Sequence, residues 1–184
     1  MDTDAPTQEN AGQASSQNGF KSGNIYLVKA DTPKYAFRSF ARLSPKGGLA
    51  ITRKLPTQVK EDYGLGDGVE MYWLSTNQGG KVKTIPPTKL MEVINLVDTF
   101  VKKGTPEQPI PMILEGLEFL VTQNQWLTTL RTINFIYEKV STNYALLLLP
   151  VRPDALEPLQ LANLEVECKP LGPMDVQDLI SGRK

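Results

Sequence analysis

The sequence predicts an α/β domain of three layers, in which a largely parallel sheet carries helices on both faces. Short apolar segments alternate with amphipathic ones along the 184 residues, the order expected when strands of one sheet are joined by crossover helices. Two of those segments, Pro109 to Val121 and Tyr144 to Pro150, are almost continuously apolar, as strands are when helices cover both of their faces. Glycine and proline mark the junctions, at Pro33, Gly47-Gly48, Pro56, Gly64 and Gly104. With 40% apolar residues the chain can bury one substantial core. A single domain is therefore expected over residues 24–170.

Residues 1–23 are mostly Asp, Thr, Gln, Asn, Ser, Ala and Gly, with Pro6 and, after Met1, only Phe20 as a large apolar group, so they read as a disordered N-terminal tail. Asn24 to Val28 is the first strand. Asp31-Thr32-Pro33 offers a capping side chain and a proline at a helix start, and Ala36, Phe37, Phe40, Ala41 and Leu43 follow at helical spacing. Lys34, Arg38 and Arg42 fall on the opposite face, four residues apart. Leu49 to Thr52 is the second strand. Pro56 opens a short helix, Thr57 to Tyr63, which Gly64 closes. Val69 to Ser75 is the third strand and Thr76 to Gly80 a loop. The next helix carries Leu90, Ile94, Val97 and Val101 on one stripe. The run from Pro109 to Val121 then reads as the strand around which the chain is organised, delivering Glu115 to its carboxyl end.

Asn124 is placed to cap a helix in which Trp126, Leu130, Ile133, Tyr137 and Val140 keep the helical period. Tyr144 to Pro150 is a further buried strand. A short helix is expected from Pro153 to about Leu164, an edge strand at Val166-Glu167-Cys168, and a C-terminal tail or short helix over residues 171–184.

Composition removes several function classes. The 20 basic residues balance 20 acidic ones, so no overall field draws the molecule to nucleic acid or an anionic membrane. No segment approaches the length of apolar chain that spans a bilayer, and Met1-Asp2-Thr3-Asp4 is acidic where a signal peptide would be basic. A cytoplasmic protein with no membrane insertion is expected. Cys168 is the single cysteine, which excludes an internal disulfide and a cysteine-rich zinc site. Histidine is absent. That takes away the usual general base, the Ser/His and Cys/His nucleophile pairs and the commonest transition-metal ligand. No catalytic residue, metal or cofactor is expected.

The turn after the first strand is where many nucleotide-binding α/β folds place a glycine-rich phosphate cradle. Here it reads Lys29-Ala30-Asp31-Thr32-Pro33. It has no glycine, Asp31 would repel a phosphate, and proline deletes a backbone donor. Gly64-Leu65-Gly66-Asp67-Gly68 follows a helix and precedes a strand, the wrong order for a cradle.

With these residues in view, the chain resembles an archaeal family known as domain of unknown function 835. The resemblance rests on Tyr26-Leu27-Val28, Tyr63-Gly64-Leu65, Trp73-Leu74-Ser75, Pro87-Thr88 with Leu90, Leu114 to Thr122 with Asn124, and Leu149-Pro150-Val151 with Pro153, Ala155 and Leu156. It spans roughly residues 25 to 170. The resemblance implies a RecA-like layout from which the phosphate loop has been lost, in members often attached to signalling or membrane segments. Glu115, where the family usually carries Asp, then takes the position of the acidic residue that helps hold Mg²⁺ in true ATPases. Ile51-Thr52-Arg53-Lys54 stands where those enzymes keep a catalytic Glu.

The function expected is a non-catalytic signalling or protein-interaction module with a protein partner, which binds through the crevice at the carboxyl ends of its strands. Glu115, Glu118, Lys29, Asp31, Arg53 and Asn124 are its candidate residues. A divergent nucleotide binder or Mg²⁺-dependent carboxylate hydrolase would use Glu115, Glu118, Lys29 and Arg53. Nucleic-acid binding would need Lys34, Arg38, Arg42, Lys46, Arg53, Lys54 and Lys60 to gather on one face.

Overall fold

A computed structural model describes residues 16–17, 19–77 and 80–181 of the chain. The elements in order are β1 (Ser16–Gln17), β2 (Phe20–Lys21), β3 (Asn24–Lys29), α1 (Lys34–Leu43), β4 (Gly48–Thr52), α2 (Pro56–Tyr63), β5 (Val69–Leu74), β6 (Thr84–Ile85), α3 (Leu90–Val101) and β7 (Ile110–Leu114). They continue with α4 (Leu117–Asn124), α5 (Trp126–Ser141), β8 (Ala145–Val151), a 3₁₀ turn (Pro153–Ala155), α6 (Pro158–Glu167), β9 (Lys169–Leu171) and α7 (Pro173–Ser181). Seven strands form one sheet in the order β6-β5-β4-β7-β8-β3-β9. Every neighbouring pair in it is parallel. The three-layer α/β fold is the one the sequence predicts.

The strands are buried on both faces, yet their side chains still alternate between two cores. Ile25, Leu27, Leu49, Ile51, Met112, Leu114, Leu147 and Leu149 pack with α3, α4, α5 and α6. Tyr26, Val28, Ala50, Ile113, Leu146 and Leu148 pack on the other side with Phe37, Phe40 and Val59 of α1 and α2 and Val176 of α7. The segment that organises the sequence lies where that role requires, because β7 is the fourth of the seven strands.

Four expectations are corrected. The first is the extent of the N-terminal tail: residues 1–15 and 18 lie outside the described residues, but β1 pairs with β2 and Phe20 is fully buried. Its ring meets the Tyr26 ring edge-on at 4.9 Å, and one aromatic side chain suffices to dock a short polar hairpin. Secondly, Pro109 to Val121 is a strand only to Leu114, after which Leu117–Asn124 forms α4. Leu117 and Leu120 are buried three residues apart, and a short apolar run does not by periodicity separate strand from helix. Asn124 consequently ends α4 instead of capping α5. Thirdly, α1 begins at Lys34 with no side-chain cap, so Asp31 does not cap it. Lastly, Val166 and Glu167 finish α6, and the edge strand is Lys169–Leu171. The C-terminal segment forms α7 as far as Ser181, and residues 182–184 lie outside the described residues.

Both edges of the sheet are short. β6 has two residues and is followed by Pro86-Pro87, and β9 has three with Pro170 in its middle.

Among the described residues, one non-glycine position has a positive φ. Gln125, exposed between α4 and α5, has φ 66° and ψ 157°, a region that only glycine occupies freely, at a cost of about 1–3 kcal/mol for other residues. Gln125→Gly is expected to raise stability by about 1 kcal/mol, net of the entropy that glycine adds to the unfolded chain. Thermal melting should move up by roughly 2–4 °C for a chain of this size; an unchanged or lower midpoint would contradict this.

Candidate functional site

Four parallel strands, β4, β7, β8 and β3, end side by side, and a crevice of about 260 Å³ opens beyond their carboxyl ends. In an open parallel sheet this is where ligands bind. Ala30, Pro33, Phe119, Pro150 and Val151 supply an apolar lining, and Arg53, Glu115, Glu118 and Arg152 the charged one.

The local sequence after β7 builds the floor. Gly116 turns the chain from strand into helix at φ 113°, and a Cβ there would stand 3.0 Å from the Cβ of Arg53. Only glycine permits both the turn and this approach. The turn leaves Glu115 on the β4 side and Glu118 on the β8 side. The backbone N–H of Arg53, the first after β4, donates to Glu115 Oε2 at 2.7 Å. That of Arg152, the first after β8, donates to Glu118 Oε1 at 2.7 Å. Each carboxylate thus satisfies a strand-end amide that the ladder leaves without a partner. The amides come from the neighbouring strands and not from the turn itself.

Burial pushes the Glu115 carboxyl above the usual range, while the backbone amides of Arg53 and Lys54 pull it back, Glu118 adds a like charge and Lys54 opposes it. Tyr63, whose ring stacks on Phe37 at 4.7 Å, has its phenol raised by burial and by the negative charges of Asp62 and Glu115, with Arg38 opposing.

Arg53 is fixed by its surroundings. Its guanidinium lies over the Phe119 ring, 4.1 Å from the centroid. Its carbonyl accepts from Trp73 Nε1 at 3.0 Å, and the Thr52 hydroxyl donates to the Lys54 carbonyl at 2.8 Å. Neither Arg53 nor Lys54 has a carboxylate within 4.0 Å among the described residues, and Arg152 has only Asp154 at 3.7 Å. Several cations elsewhere are matched. Lys60 pairs with Asp67, Lys83 with Glu70, and Lys102 and Lys139 with Asp98. A second cavity of about 210 Å³ opens at the amino ends of the strands. Its Glu70 is engaged by Lys83 and Lys103, and Lys103 lies over the Phe100 ring.

Of the six crevice candidates, the structure brings together Glu115, Glu118 and Arg53. Lys29 faces α6, where its ammonium donates to Glu165 at 2.6 Å, because residues 25, 27 and 29 share one face of β3. Asp31 is exposed outside the lining. Asn124 donates its amide to the carbonyls of Pro87 and Leu120, tying α4 to the segment before α3. Lys34, Arg38 and Arg42 are exposed along α1. They do not form one patch with the remaining cations: Lys46 lines the cavity at the opposite end of the sheet from Arg53, and Lys60 is paired.

Sequence reasoning missed Arg152 and Phe119. Arg152 lies two residues beyond the Tyr144 to Pro150 strand as the sequence predicts it, and β8 runs one residue further, to Val151, so that the strand-end rule that selected Arg53 stopped one residue short. Phe119 was hidden once its segment was read as strand. Cys168 is buried with its thiol pushed up to about 12 by desolvation, which leaves it protonated and unreactive. No helix among the described residues is long and apolar enough to cross a membrane.

No curated protein matches the chain in sequence. Residues 29–168 match the family described as protein of unknown function (DUF835), a span that begins at the end of β3, runs through the crevice and stops at the last residue before β9. The chain belongs to this family.

Proposed function

We propose that the chain is a non-catalytic α/β module of signalling or protein interaction, working in the cytoplasm, which holds a protein partner at its strand-end crevice. One observation carries this reading. The two acidic groups that a hydrolytic site would use are engaged by the amides of Arg53 and Arg152 and serve to tie β4 and β8 to the end of β7. In the RecA-like layout a nucleotide would occupy this crevice, but the turn after β3 brings Pro33 to its wall and an exposed Asp31 beside it, which is poor company for a phosphate.

Filling the crevice tests the reading. Ala30 lines it at the mouth, and Ala30→Trp is expected to occupy most of its volume while the Ala30 amide keeps its bond to the Val151 carbonyl. Partners captured by the wild-type chain from its native lysate should be lost at least tenfold with Ala30→Trp, at equal fold by circular dichroism. Retention of the same partners by the variant would overturn the reading.

A further inference from the structure

The cations at the crevice are distributed in a way that selects the partner's chemistry. Arg53 and Arg152 stand on either side of the β7 end, one following each of its neighbouring strands. Both are exposed. Two more exposed cations continue directly from lining residues, Lys34 after Pro33 and Lys54 after Arg53. None of Lys34, Arg53 and Lys54 has a carboxylate partner among the described residues, in a chain whose other lysines largely do. A guanidinium stacked on an aromatic ring is oriented for hydrogen bonding in its plane, and although Arg53 Nη1 donates to the Leu74 carbonyl at 3.5 Å, other N–H groups of the fork are left for an anion. Phe119 holds Arg53 in that way. The crevice beside the two arginines has an apolar part, lined by Val151, Pro150, Ala30 and Phe119, next to Glu115 and Glu118 at the end of β7.

We propose that the crevice takes an acidic segment of the partner protein, in which a carboxylate side chain meets Arg53 and Arg152 and an adjacent aliphatic side chain enters the apolar lining. This rests on the reading of the crevice as the partner site. A carboxylate suits the site better than a phosphate for two reasons. The strand-end amides that could cradle a phosphate are occupied by Glu115 and Glu118. Those same carboxylates stand in the wall, where they repel a doubly charged group more strongly than a single charge. The volume, about 260 Å³, accommodates one or two side chains. It is small for a nucleotide base together with its sugar and phosphates.

The test uses the full chain, isotope-labelled for amide NMR, and a synthetic peptide of Glu, Leu and Gly. The controls are the same peptide with Lys in place of Glu, and ATP with Mg²⁺. The expected result is saturable binding of the acidic peptide, with shifts centred on the amides of Gly116, Phe119 and Arg152. Arg53→Gln and Arg152→Gln should each weaken it about tenfold, and added salt should weaken it further. Arg152→Gln guards against a folding artefact, since that side chain is exposed and stacks on no ring. Equal binding of the lysine peptide, or binding of ATP with no binding of the acidic peptide, overturns the proposal. If no probe binds while partner capture still depends on Ala30, the acidic segment is wrong and the crevice reading stands. If no probe binds and Ala30→Trp changes nothing, both fall.

Discussion

Gly116→Ala is expected to lower the stability of the domain by about 3 kcal/mol. Part of the loss is conformational, because φ 113° at this residue is outside what an alanine adopts without strain, a cost of about 1–3 kcal/mol. The rest is steric. The new methyl would stand 3.0 Å from the Cβ of Arg53 and 3.5 Å from a Leu74 methyl, and the side that can give is Arg53, since Leu74 is wholly buried. Moving Arg53 loosens its amide from Glu115 and its guanidinium from Phe119 together. Urea denaturation measures the loss directly, and the melting midpoint should fall by roughly 6–12 °C for this size of domain. A variant within about 0.5 kcal/mol of wild type would mean that the turn is not held as described.

The second large effect is at Glu115, and it separates hydrogen bonding from charge. Glu115→Ala removes the acceptor for the Arg53 amide and is expected to cost about 2 kcal/mol at neutral pH. Glu115→Gln keeps an acceptor oxygen without the buried charge, so it should lie within about 1 kcal/mol of wild type. The pH dependence carries the sign. Because burial raises the Glu115 carboxyl above its ordinary 4.5 in the folded state, folding takes up a proton there. The corresponding stabilisation is fully present below about 4.5 and is lost as the pH rises through the folded-state value. Wild type should therefore gain on Glu115→Gln as the pH falls from 7 towards 5. Asp67, Glu70 and Asp98 act in the opposite sense, being held below their ordinary values chiefly by lysine hydrogen bonds, but they are common to both proteins and cancel in the comparison. A wild-type advantage that shrinks on acidification, or a harmless Glu115→Ala, would refute this account.

Much of the fold was legible because its signals are local. The β8 segment contains only apolar side chains, and the stripes of α1 and α3 keep a helical period, so nothing in the tertiary structure had to be known to place them. Glu115 could likewise be singled out, because it is a charge at the end of a buried run before a glycine. What the run could not disclose was its change from strand to helix at Gly116, since leucine and phenylalanine serve both conformations and the decision lies in a φ angle. Three consequences follow from that one ambiguity: Phe119 went unnoticed, Asn124 received the wrong end of a helix, and Glu118 was selected without the strand-end amide of Arg152 that it accepts from. Lys29 illustrates a different gap. It is adjacent in sequence to the crevice, but strand parity sends its side chain to Glu165, 136 residues away, and no local pattern records that partner.

The narrow margins of the sheet bear on how the domain can associate. A fully parallel sheet offers rows of peptide groups at its two outer strands, and such rows are templates for strand addition by another chain. In this domain one margin is two residues long and meets Pro86-Pro87, and the other is three residues long and is interrupted by Pro170, which has no N–H to donate. Neither is long enough to seat an incoming strand. Recognition through main-chain pairing is thereby disfavoured, and with it the lateral stacking that leads to fibres. The peptide groups of this sheet serve its own cohesion, and a partner of the kind proposed would have to be held by side chains.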